Sequence, residues 1–71
     1  MNRKLRSLRE DKGVTQDDVA RLLGVSRTAV TYWESGTKRP DLVNLVKLAD
    51  LYNVSLDYLL GRTDNPAQVT V

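Results

Sequence analysis

Residues 22–27 read L-L-G-V-S-R, and this junction constrains the fold more than any other part of the chain. Ahead of it, T-Q-D-D-V-A-R-L-L has the marks of a helix. Thr15 stands three residues before Asp18, a capping box with Asp in the usual Glu position, and Asp17 and Asp18 suit the positive end of the helix dipole. Val19, Ala20, Leu22 and Leu23 are its expected buried stripe, and Gly24 supplies a left-handed stop. Ser26 then caps a second helix that runs through Ser35 and ends at Gly36. Two helices joined only by Gly24-Val25 cannot lie antiparallel; the chain must bend sharply, and the second helix projects from the body of the domain.

The remaining elements are also helical. Residues 2–12 place Leu5 and Leu8 inward and close on Gly13; residues 41–52 carry apolar groups at 42, 45, 46, 48, 49 and 52, a helical period rather than strand alternation. Ser55 caps a last short helix, L-D-Y-L-L, closed by Gly61. The expected class is all-α: a five-helix domain over residues 1–61, followed by a polar, loose tail over 62–71. A chain of 71 residues buries only about 60% of its unfolded surface, so good packing is a condition of folding. There is no cysteine and no histidine, which excludes disulfides and the usual zinc sites and is compatible with a reducing cytoplasm. No apolar run approaches the roughly 18 residues that span a bilayer, and the basic N-terminus lacks the apolar region of a signal peptide.

The helix after the sharp turn raises a question of what it faces. At about 100° per residue, Arg27, Thr28, Thr31, Tyr32 and Ser35 fall within an arc of roughly 140°. Ala29, Val30 and Trp33 lie opposite, with Trp33 as the anchor; truncating a buried Trp costs about 3–5 kcal/mol. The outer stripe offers neutral hydrogen-bonding groups and one guanidinium, a mixture that suits base edges in a DNA major groove. The plain alternative is an ordinary polar surface, with the Tyr32 ring covering Trp33. Two neighbours favour nucleic acid. Gln16 opens the preceding helix, where backbone N–H groups attract phosphate. The loop Thr37-Lys38-Arg39 follows directly and is basic, so phosphate contacts flank base contacts, as when a helix-turn-helix docks on DNA.

The ordered set of T-Q at 15–16, A-x-x-x-G from Ala20 to Gly24, V-S at 25–26, W-E-x-G at 33–36 and R-P at 39–40 closely resembles the helix-turn-helix of the lambda-repressor/Cro family, the XRE-type regulators. The stretch L-x-x-L-A-x-x-Y-x-V-S-x-D-Y-L-L-G, from Leu45 to Gly61, is similar to the closing helices of these domains, so the resemblance covers nearly the whole chain. It implies a compact lambda-repressor-like fold. It also implies base contacts from Arg27, Thr28 and Tyr32 with Thr31 at the edge, and a phosphate contact from Gln16, which braces the first recognition residue. Ser26 and the segment Ser35, Thr37, Lys38 and Arg39 join the phosphate-contacting set. Glu34 turns away from the groove, and the resemblance pairs it with Arg9 in an ion pair that clamps the first helix to the third.

The expected function is sequence-specific binding of double-stranded DNA by a transcriptional repressor, as a homodimer on a palindromic operator, in the cytoplasm of a prokaryote at the nucleoid or encoded by a phage. The expected dimer seam is the last helix and tail, around Leu56, Tyr58 and Leu59, although these residues serve equally as core. No cofactor and no metal are expected, and no ligand-sensing domain fits in this length, so regulation falls to concentration, a partner protein or a longer parent chain. The rival reading is an antitoxin or adaptor that binds protein, with V-T-V at 69–71 pairing as an edge strand. An enzyme is the weakest class: the chain offers no His, Cys, metal cluster or nucleotide-binding glycine loop, and the acid pairs Asp17-Asp18 and Glu10-Asp11 belong to helix ends and surface.

Overall fold

A computed structural model describes residues 2–67; the V-T-V segment lies outside the described residues. Five helices follow in order: α1 Asn2–Lys12, α2 Gln16–Leu23, α3 Arg27–Ser35, α4 Leu42–Tyr52 and α5 Leu56–Leu59. No strand occurs among the described residues, so the class is all-α.

Local chemistry sets the helix ends. Asp18 N–H donates to Thr15 Oγ1 at 3.1 Å while Thr15 N–H donates to Asp18 Oδ2 at 2.9 Å, a complete capping box that also holds the Asp18 carboxyl below its ordinary pKa. Ser26 Oγ accepts from Ala29 N–H at 3.1 Å, and Asp41 and Ser55 cap α4 and α5 in the same way. Between α2 and α3, Gly24 sits at φ 72°, the left-handed region that favours glycine, and Val25 N–H returns to the Ala20 carbonyl at 2.9 Å. The two-residue turn therefore closes α2 and redirects the chain within one bond. Lys47 of α4 adds a cross-link, donating from Nζ to the Leu23 carbonyl at 3.2 Å at the end of α2.

Leu5, Val19, Leu23, Val30, Trp33, Leu48, Ala49, Val54 and Leu59 meet in one core, with α3 packed on both α1 and α2. Three residues expected inside are not there. Leu22 is 61% exposed, Leu42 69% and Val46 40%. The helical wheel gives the reason for two of them: Leu22 lies about 60° beyond Val19, away from Ala20, and Val46 about 60° beyond Ala49, whereas Leu42, only about 20° off that stripe, is the first residue of α4. Leu22 and Val46 sit at the rim of their stripes, and Leu42 at a helix end.

The C-terminal expectations also change. Leu59 is 0% exposed and is core, not seam. Tyr58 is half-buried beneath Lys4, whose Nζ donates to the Tyr58 carbonyl at 2.7 Å and lies 4.1 Å from its ring centroid, tying α1 to α5. Leu56 is half-buried as well. The tail is held rather than loose over its described part: Ser55 N–H donates to the Pro66 carbonyl at 2.9 Å, and Arg62 N–H to the Asp57 carbonyl at 2.8 Å.

Candidate nucleic-acid interface

Val30 and Trp33, 1% and 7% exposed, dock α3 into the core. On the opposite side Arg27, Thr28, Thr31, Tyr32 and Ser35 all stand at the surface, and Ser26, Thr37, Lys38 and Arg39 flank them. The helical arc read from the sequence is thus a continuous exposed face of the folded chain. Ser26, Thr28, Tyr32, Trp33, Lys38 and Arg39 line a shallow hollow where the start of α3 meets the loop after it.

Several polar groups on this face are held by partners within the protein. Ser26 Oγ accepts in the cap, which leaves its own O–H to donate outward. Ser35 Oγ donates to the Tyr32 carbonyl at 3.1 Å and shares a bond of 2.8 Å with the Thr37 hydroxyl. Lys38 Nζ stands 5.2 Å from the Tyr32 ring centroid. Arg27 Nε lies 3.8 Å from Asp17 Oδ1, a loose surface pair with both side chains about two-thirds exposed. The Lys38–Tyr32 and Arg27–Asp17 approaches do not follow from spacing along one helix, because each joins α3 to another segment.

Behind the face is a buried polar knot. Arg9 Nε donates to Glu34 Oε2 at 2.7 Å, with the side chains 15% and 6% exposed, and Arg9 Nη1 donates to the Val14 carbonyl at 3.1 Å. The hydrogen bond to Glu34 raises the Arg9 guanidinium above its ordinary pKa. Burial, with the negative charge of Glu34 adding to it, pushes the Tyr52 phenol up to about 12. The other oxygen, Glu34 Oε1, accepts from Gln16 Nε2 at 3.1 Å, and Thr31 Oγ1 donates to Gln16 Oε1 at 2.9 Å. The structure therefore brings Arg9 and Glu34 together and adds Gln16 and Thr31 to the pair. Gln16, read from the sequence as a helix-start group directed at phosphate, has both ends of its amide bound within the protein. Thr31 likewise turns its hydroxyl hydrogen inward, toward Gln16 and the Arg27 carbonyl at 3.1 Å. No buried side-chain nitrogen or oxygen lacks a partner among the described residues.

Comparison with known proteins bears on what this face does. The family model described as helix-turn-helix matches residues 5–59. The uncharacterized HTH-type transcriptional regulator YobD of Bacillus subtilis is 41% identical over 63 residues, covering 89% of this chain and 56% of that protein. The cryptic phage CTXphi transcriptional repressor RstR of Vibrio cholerae is 39% identical over 59 residues, 83% of this chain and 53% of that one. The chain spans about half the length of the curated relatives it matches. Among solved structures, the P22 c2 repressor in complex with a synthetic operator superposes with a TM-score of 0.78 at 29% identity, covering 82% of this chain and 88% of that chain.

Proposed function

Because the chain belongs to the helix-turn-helix family, we propose that it is a sequence-specific DNA-binding transcriptional regulator acting as a repressor, with α3 lying in the major groove of duplex DNA. One observation carries the reading: the side of α3 opposite buried Trp33 is an exposed stripe of base-reading side chains, flanked at both ends by groups suited to phosphate. The relatives named as transcriptional regulators and the operator complex of the similar repressor support it. Arg27, Thr28 and Tyr32 read base edges with Thr31 beside them; Gln16, Ser26, Ser35, Thr37, Lys38 and Arg39 hold phosphates. A homodimer on a palindrome follows from the single recognition helix, since one copy grips one half-site. Such a protein works in the cytoplasm, at the nucleoid; no helix among the described residues is long and apolar enough to cross a membrane.

Selection of binding sites from random duplexes tests the reading, followed by two substitutions. Arg27→Ala should relax preference at one base position, a loss of about 1–3 kcal/mol of discrimination. Arg39→Ala should weaken all duplexes alike and flatten the dependence on salt. Equal losses on every duplex from both would refute the division between base readers and phosphate holders. A selected site with twofold symmetry supports the dimer, and a reporter gene downstream of it separates repression from activation.

The second reading, an antitoxin or adaptor, is favoured by the exposed apolar side chains Leu42, Val43 and Val46 on α4. It predicts a co-purifying protein partner and poor retention on heparin.

A further inference from the structure

Glu34 is buried, yet it is bonded to Gln16, which in turn meets Thr31 on the exposed face of α3. Its carboxylate is held on one oxygen by Arg9 and accepts on the other from Gln16 Nε2. A carboxylate is acceptor-only, so it selects the nitrogen end of the Gln16 amide, and Thr31 donates to the oxygen end. The amide is thereby fixed at both ends and cannot flip. A primary amide has two N–H donors, and Glu34 takes one. The other is not taken up by Glu34, and Gln16 is the first residue of α2, the turn in which unpaired backbone N–H groups gather.

We propose that Glu34 is a positioning residue for DNA binding. Braced by Arg9, it orients the Gln16 amide so that the second Nε2 hydrogen meets a backbone phosphate, and Thr31 locks the far end of the same amide. The proposal rests on Gln16 being a phosphate contact. It has a consequence for Thr31: its one hydroxyl hydrogen points into the protein, so toward DNA it offers a lone pair and a methyl group. It suits a thymine methyl or an exocyclic amine of adenine or cytosine, and a guanine edge, which only accepts, finds no donor there.

The test uses the whole chain and a selected duplex in which phosphates are replaced one at a time by neutral methylphosphonate. Wild-type protein should lose about tenfold or more in affinity at one phosphate per half-site, the loss of a charge-assisted hydrogen bond. Gln16→Ala should show no such sensitivity there. Glu34→Gln, whose amide no longer dictates which end of Gln16 faces it, and Thr31→Val, which removes the lock at the surface, should bring the ratio down toward unity. A merely structural role lowers affinity for native and substituted duplexes together and leaves the ratio intact. Folded Glu34→Gln protein that keeps the full ratio overturns the proposal. Where that variant fails to melt cooperatively, Thr31→Val decides on the same criterion. If Gln16→Ala keeps the wild-type ratio at every phosphate, the Gln16 contact fails, and the proposal falls with it by a separate route.

Discussion

Replacing Arg9 by Met strands the Glu34 carboxylate, and the size of the loss follows from its surroundings. With Arg9 in place the carboxylate is 6% exposed and accepts from Arg9 and Gln16; without it, only Gln16 remains of those two. Removing one member of a buried ion pair costs about 3–5 kcal/mol. At roughly 0.05–0.15 kcal/mol per residue a chain of this length has about 4–11 kcal/mol in total, so the variant forfeits much of its stability. For domains of this size each kcal/mol moves the melting temperature by about 4–8 °C, so a fall of at least about 12 °C is expected. Glu34→Leu should be the milder change, because Arg9 is 15% exposed, keeps the Val14 carbonyl and has a long stem that reaches water. The double variant Arg9→Met/Glu34→Leu removes both charges and should recover part of the sum, with a coupling energy of about 2–3 kcal/mol. Thermal and urea unfolding followed by circular dichroism at 222 nm measure all four corners of the cycle. A coupling below about 0.5 kcal/mol, or a more damaging Glu34→Leu, refutes the clamp as argued.

The other predictions concern titration and the exposed face. Tyr52 has its folded pKa raised from 10.0 to about 12, so the folded state retains the phenolic proton longer than the unfolded chain. Its contribution to stability is fully present below pH 10 and is lost as pH rises through about 12; the phenolate absorbance step near pH 12 should be missing in Tyr52→Phe, together with that part of the alkaline destabilisation. Asp17→Asn should raise DNA affinity about two- to fivefold at low salt, since it frees Arg27 from a surface pair and removes a negative charge beside the phosphate path, and the gain should fade as salt increases. Lys38→Ala should differ from Arg39→Ala: besides the uniform loss, it should change discrimination at the base facing Tyr32 by about two- to fivefold, because it removes the ammonium beside that ring. Identical selectivity profiles for the two variants would show that Lys38 does not order Tyr32.

The helices and the sharp turn were legible because they rest on local rules: capping side chains, glycines at left-handed positions and apolar spacing all act within a few residues. The exposed face of α3 was legible for the same reason, since a helix carries its own angular map and Trp33 fixes which side is inside. The Arg9–Glu34 contact joins residues 25 apart, and family resemblance rather than any local rule pointed to it. What the sequence did not disclose depends on how elements cover one another. Leu22 and Val46 lie at stripe edges and Leu42 at a helix end, where burial is decided by a neighbour's reach. Leu59 and Tyr58 share one short helix, yet one is sealed in the core and the other sits beneath a lysine from α1. The bond from Gln16 to Thr31 requires the α2–α3 turn to be already formed before either residue has its partner.

That dependence links stability to recognition in one residue. Glu34 is the only buried charged side chain among the described residues, and its two oxygens serve different tasks: one holds α1, the other holds the amide at the start of α2. A buried carboxylate is a poor source of net stability when weighed against an apolar replacement. The proposed role is geometric, since an apolar residue at position 34 can fill space but cannot choose which end of the Gln16 amide faces it. On this argument a well-packed apolar pair at positions 9 and 34 yields a stable domain whose phosphate contact is lost. Measuring melting temperature and methylphosphonate sensitivity on the same double variant separates the two tasks: recovery of both together would show that Glu34 contributes only to holding the fold.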